Sequence, residues 1–87
     1  MKQSNVKLRK QPQKYLTKVD SRTYRKLRTA LSRLELWKGN IVKLKGSDYY
    51  RLKIPQYRFI FTYDIDNNTI YIEEINTRTD IDYRRYS

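Results

Sequence analysis

The sequence predicts an α+β domain: an N-terminal strand and a two-helix hairpin packed on a small antiparallel sheet of about four strands. Three observations lead there. Apolar and basic residues alternate through Tyr50-Arg51-Leu52-Lys53-Ile54 and again through Tyr57-Arg58-Phe59-Ile60-Phe61, the period-two pattern of paired strands. Tyr24, Leu27, Leu31 and Leu34 recur at helical spacing with Ala30 beside them, after a shorter stripe of Tyr15, Leu16 and Val19. A chain of 87 residues is too short for two cores, so residues 1–87 are read as one domain.

Each element follows from its residues. Within residues 4–10, Val6 and Leu8 face one way and Lys7 and Arg9 the other, a short half-buried strand. Pro12 suits the first turn of a helix, where its missing N–H costs little, and that helix is expected over residues 12–19. Asp20 and Ser21 interrupt it and offer side-chain oxygens to cap the next helix. This second helix carries Arg22, Arg25, Lys26, Arg28 and Arg33 away from its leucines and is expected to stop near Lys38-Gly39. Residues 40–47 read as an extended basic connector.

The alternating segments then pair. With Pro55-Gln56 as a two-residue loop, Ile54 faces Tyr57, Lys53 faces Arg58, Leu52 faces Phe59 and Arg51 faces Ile60. One face is Tyr50, Leu52, Ile54, Tyr57, Phe59 and Phe61, a core; the other is Tyr49, Arg51, Lys53, Arg58, Ile60 and Thr62. Lys53 opposite Arg58 is destabilising unless an anion compensates the pair. Asp66-Asn67-Asn68 marks a turn, and Ile70, Ile72 and Ile75 mark a further antiparallel strand. Pairing Ile65 with Ile70 keeps Ile70 and Ile72 on the core face but brings Glu74 there too, which asks for a bulge or an early end. The tail, residues 76–87, is too polar for a core strand.

Charge narrows the function. The net charge is +11, and residues 1–58 hold ten Lys and seven Arg against three acids, whereas residues 59–87 hold three Arg against six acids. Such a field favours nucleic acid, an anionic membrane or an acidic protein. There is no Cys and no His, which excludes disulfides, thiolate chemistry and imidazole catalysis or ligation. No apolar run follows the basic N-terminus and none approaches a membrane span, so a cytoplasmic protein without a membrane partner is expected. Two glycines, Gly39 and Gly46, are too few and too far apart for a phosphate-binding loop. Asp64, Asp66, Glu73, Glu74, Asp80 and Asp82 read as turn, strand-edge and tail residues; no metal site and no cofactor is expected.

The basic sheet face remains. Outward Lys and Arg are ordinarily solvated residues. Here Arg51, Lys53 and Arg58 are interleaved with Tyr49 and followed by Tyr83 and Tyr86, and cations hold phosphates while tyrosine rings stack on unpaired bases. Lys43 and Lys45 of the connector join Tyr49 and Tyr86 as candidate RNA-binding residues.

Taken in order, the strand, two helices, the connector Val42-Lys43-Leu44-Lys45-Gly46, the hairpin and a last strand closing in Arg78 before Asp80-Ile81-Asp82-Tyr83 resemble the RelE/ParE superfamily of type II toxin–antitoxin toxins over nearly the whole chain. RelE-like members cleave mRNA in the ribosomal A site, and ParE-like members poison DNA gyrase. The resemblance implies a RelE-like fold and, by position, a catalytic set of Arg51, Lys53, Arg58, Arg78 and Tyr83. Some branches use a Glu base and a His acid; neither stands at the corresponding places here, which favours the Lys/Arg branch. In that reading the RNA 2′-OH is the nucleophile and no metal is needed. Lys53 is the general base. Arg51 and Arg58 hold the scissile phosphate, Arg78 serves the leaving oxygen, and Tyr83, or Tyr86, orients a base. Arginine is a poor acid, so the general acid stays open. The implied partners are mRNA, the ribosome and an acidic cognate antitoxin that covers apolar grooves beside the helices and masks the basic face. Two other readings stand beside it: a gyrase-directed toxin of the same fold and a non-catalytic RNA-binding module.

Overall fold

The two alternating segments form adjacent antiparallel strands in a computed structural model that describes residues 3–86; the outermost residues of the domain read over 1–87 lie outside the described residues. In chain order the elements are β1 (Asn5–Leu8), α1 (Lys10–Lys18), α2 (Ser21–Leu34), β2 (Asn40–Lys43), β3 (Tyr50–Ile54), β4 (Tyr57–Asp64), β5 (Thr69–Thr77) and a 3-10 turn (Tyr83–Tyr86). The β3–β4 register pairs Ile54 with Tyr57, Lys53 with Arg58, Leu52 with Phe59 and Arg51 with Ile60, as the alternation requires. The loop between them joins Pro55 to Gln56 at φ 70, the combination used by turns that need a left-handed second residue.

The sheet has five strands in the order β1-β5-β4-β3-β2, one more than expected. The added strand is β2, from the segment read as a connector, which pairs antiparallel with β3 through Asn40↔Lys53 to Lys43↔Tyr50. It is an edge strand with mostly exposed side chains, so it lacks the apolar alternation that announces a strand. The sheet is also mixed, because β1 runs parallel to β5 while the other neighbours are antiparallel.

Both helices lie on one face. Leu16 of α1 and Leu27, Ala30, Leu31 and Leu34 of α2 pack on Leu52, Phe59, Phe61, Ile70, Ile72 and Ile75. Tyr24, read as part of the leucine stripe, stands exposed near the start of α2. Asp20 caps α2 by accepting from the Thr23 N–H at 2.8 Å. The helix ends before the expected Lys38-Gly39. Trp37 takes φ 55, and the Lys38 N–H reaches the Arg33 carbonyl while the Trp37 N–H reaches that of Leu34, a Schellman closure with tryptophan in the left-handed place. Tryptophan is held there by its indole, which packs edge-on against Tyr50, Phe61 and Tyr63 and donates to the Ser4 hydroxyl at 3.0 Å. Gly39 serves the next step: at φ 132 it carries the chain into β2, and a Cβ there would lie 2.7 Å from the Leu52 side chain.

The β4–β5 register differs from the expected one. Tyr63 pairs with Ile70 and Asp64 with Thr69, so Ile65 belongs to the loop and is 76% exposed. Asp64 organises that loop by accepting from the N–H groups of Asp66 and Asn67. The bulge does occur: Ile60 pairs with Glu74 but Phe61 with Ile72, leaving Glu73 as the extra residue. Ile70, Ile72 and Ile75 thereby all face the helices, and Glu74 turns to the opposite side.

Candidate nucleic-acid interface

The sheet face away from the helices carries the charge. Lys53 is paired with Arg58 across the β3–β4 ladder, with Asn40 of β2 beside Lys53 and Asn76 of β5 beside Arg58. The Arg58 guanidinium folds back on the loop, its Nη1 donating to the Ile54 carbonyl at 3.0 Å and the Tyr57 carbonyl at 2.8 Å. Arg78 arrives from beyond β5. Its backbone N–H donates to the Gln56 carbonyl at 2.9 Å, so the loop that turns the hairpin also anchors the late arginine. Lys53, Arg58 and Arg78 meet in a shallow depression of about 260 Å³ completed by Asn40, Ile54, Pro55 and Gln56. None of the ion pairs among the described residues involves Arg51, Lys53, Arg58 or Arg78.

Arg51 is a pleat away, paired with Val42 on one side and Ile60 on the other. It is half-buried, and its shielded Nε has no hydrogen-bond partner among the described residues. A shielded guanidinium donor without an acceptor is costly. Lys43 and Lys45 lie elsewhere, around an open depression of the β2–β3 loop that includes Gly46, Ser47 and Asp48.

The tail forms a second, smaller core on this face. Ile81 and Tyr86 pack over Ile60, with Leu44 and Tyr49 at the margin. Tyr49 meets Tyr86 edge-on at 4.8 Å between ring centres. Tyr86, 7% exposed, donates its hydroxyl to Glu74 Oε1, and Glu74, 6% exposed, accepts at Oε2 from the Asn76 side chain at 3.2 Å. Burial and then the bond to Glu74 raise the Tyr86 hydroxyl well above the ordinary tyrosine range, so it stays protonated. Tyr86 is thus buried between the tail and the sheet, and Tyr83 is the tail tyrosine left open, 37% exposed on the 3-10 turn. Asp82 begins that turn: it accepts from the Arg84 N–H and guanidinium, and these bonds lower its own carboxyl below the usual range.

The structure therefore brings Lys53, Arg58 and Arg78 together, keeps Arg51 adjacent in register, and leaves Lys43 and Lys45 apart. The contribution of Glu74 was missed in the sequence. Its signal was Ile60, an isoleucine among cations on the outward face, which needs a cover and stands opposite that carboxylate.

A helical hairpin on one face of a five-stranded mixed sheet, and a depression holding three cations on the other, define a small basic α+β domain. No protein-family profile matches the chain, and no curated protein matches it in sequence. Solved structures do. The chain is similar to RelE in the archaeal RelE–RelB complex from Pyrococcus horikoshii, with 26% identity and a TM-score of 0.74 over 91% of this chain and 99% of that one. In the toxin–antitoxin complex RelBE2 from Mycobacterium tuberculosis the match has 20% identity and a TM-score of 0.71 over 92% and 97% of the two chains. In the intact E. coli RelBE toxin–antitoxin complex it has 19% identity and a TM-score of 0.70 over 85% and 95%. The fold is the RelE-like toxin fold.

Proposed function

We propose that this protein is the toxin of a type II toxin–antitoxin system and that it inhibits translation by cleaving mRNA in the ribosomal A site, in the cytoplasm. The observation that carries this reading is the depression in which Lys53, Arg58 and Arg78, from three separate segments, converge with no carboxylate paired to them among the described residues. The likeness to RelE chains supports it.

The chemistry asks for what these groups supply. The RNA 2′-OH attacks the adjacent phosphorus as Lys53 takes its proton; the new O2′–P bond forms and the P–O5′ bond breaks, leaving a cyclic phosphate and a 5′-oxygen that takes a proton from water to become the 5′-hydroxyl. Arg58 and Arg51 hold the non-bridging oxygens, whose charge grows in the transition state. Arg78 neutralises charge on the departing 5′-oxygen, and the exposed ring of Tyr83 stacks on a base.

An acidic antitoxin is part of the same proposal. Between α2 and β3 runs a groove of about 480 Å³ with Ala30, Leu52 and Ile54 in its floor and Arg25, Lys26, Arg33 and Lys38 among its lining. An apolar floor with a cationic rim suits an acidic amphipathic segment. The groove shares Lys53, Ile54 and Pro55 with the proposed catalytic depression, so an occupant reaches the site directly.

Induced expression in a growing culture tests the reading. Wild type is expected to arrest protein synthesis, and Lys53→Ala and Arg58→Ala to leave it running while folding normally. Inhibition of gyrase supercoiling by the purified protein, with translation unaffected, would assign it to the gyrase-directed toxins instead. RNA binding without cleavage would leave a binding module.

A further inference from the structure

We infer that Glu74 and Tyr86 are positioning residues of the RNA site: their hydrogen bond fastens the C-terminal segment across the catalytic face and so holds the base-contacting Tyr83 in place. This rests on the ribonuclease reading above.

The segment behaves as a strap fixed at both ends. It leaves the sheet at Arg78, whose N–H is bound to the Gln56 carbonyl beside the depression. It ends at Tyr86, whose hydroxyl is bound to Glu74 on β5. Between these anchors Ile81 packs on Ile60, and Tyr83 and Arg84 stand exposed. Ile60 pairs with Arg51 on one side and with Glu74 on the other, so the strap crosses the sheet between an RNA-site arginine and the carboxylate that fastens it.

The fastening has the chemistry of a built contact. Glu74 is a nearly buried carboxylate, and both of its oxygens are engaged, by the Tyr86 hydroxyl and the Asn76 amide. The Arg85 guanidinium stands 3.9 Å away from the shared oxygen, largely in solvent. A buried carboxylate is expensive without such partners, so the strap and Glu74 stabilise each other. A four-residue turn has few internal bonds; beyond the Asp82 contacts with Arg84, the segment is tied to the sheet through these anchors.

The test compares wild type, Tyr86→Phe and Glu74→Gln in mRNA cleavage on translating ribosomes, with Tyr83→Ala made in each background. Phenylalanine keeps the ring and removes the donor; glutamine keeps an oxygen acceptor. Tyr86→Phe is expected to raise KM about tenfold with kcat nearly unchanged, the pattern of lost binding. Glu74→Gln is expected to stay close to wild type. Tyr83→Ala, costly in the wild type, should add little in Tyr86→Phe, because the ring is no longer held. Amide exchange over residues 81–86 should quicken in Tyr86→Phe alone. Wild-type kinetics in Tyr86→Phe, a loss confined to kcat, or full additivity with Tyr83→Ala would each overturn the inference. Should the wild type itself cut no mRNA, the ribonuclease reading fails, and the latch with it as an RNA-positioning device, even if the exchange data show the strap fastened.

Discussion

The two faces of one sheet are built from the same strands and obey opposite rules. Toward the helices, Leu52, Phe59, Phe61, Ile70, Ile72 and Ile75 are buried almost without remainder. Toward solvent, the residues between them place Lys53 against Arg58, a pairing that weakens a sheet, and leave a shielded Arg51 donor without an acceptor among the described residues. Phe59 and Arg58 are neighbours in sequence and belong to these two regimes. The difference teaches that the helix face supplies the stability from which the other face can spend, a division expected where a binding site is built on a small domain.

The division can be broken most forcefully at Phe59. Phe59→Ala should cost about 3–5 kcal/mol in denaturant unfolding, because it empties the centre of the main core. A cost below about 1 kcal/mol would show that this face does not carry the fold.

Ile60→Ala asks whether the strap makes a second core. Ile60 is fully buried, but beneath a cluster of few residues that can settle into the space. A loss of about 2 kcal/mol is expected, at the low end for a buried isoleucine. Near-neutral unfolding would mean that the strap adds no core of its own.

The loop belongs to neither face. Gln56 sits at φ 70, where a side chain is strained, and its carbonyl is the group that holds Arg78. Gln56→Gly keeps that carbonyl and removes the strain, and should raise stability by about 1 kcal/mol in thermal unfolding. Destabilisation would show that the glutamine side chain contributes more than its backbone costs.

The smallest effect is the most telling in sign. Lys53→Glu replaces like charges across β3 and β4 with opposite ones and should stabilise by about 0.2–1 kcal/mol. The same change should abolish translation arrest. Reduced stability would contradict the view that this pair is held against its own repulsion.

What was legible follows the same line. The hairpin register could be read residue by residue, because alternation and a two-residue loop leave one solution. β2 was not, since Asn40-Ile41-Val42-Lys43 at an exposed edge gains its strand character from pairing with β3 and not from its own pattern. The α2 stop was displaced because Trp37 occupies a conformation ordinarily left to glycine, held by three aromatic neighbours distant in sequence. That Glu74 demands a bulge or an early end of β5 was visible, but the pairing that starts the strand was not: Ile65, an apolar residue, is used in a turn. In the candidate site, Lys53 and Arg58 were placed by the hairpin alone. Arg78 joins them through a backbone bond to Gln56, and Tyr86 is held onto the sheet by Glu74; both depend on long-range contacts that no local pattern carries.

The central claim is that the cationic face cleaves RNA. Mapping 5′ ends of mRNA on translating ribosomes, with wild type and with folded Lys53→Ala and Arg58→Ala, tests it most directly. Cuts within the A-site codon by wild type, absent from both variants at unchanged thermal stability, are the predicted result. Intact mRNA with wild type, or wild-type cutting by Lys53→Ala and Arg58→Ala, would contradict it.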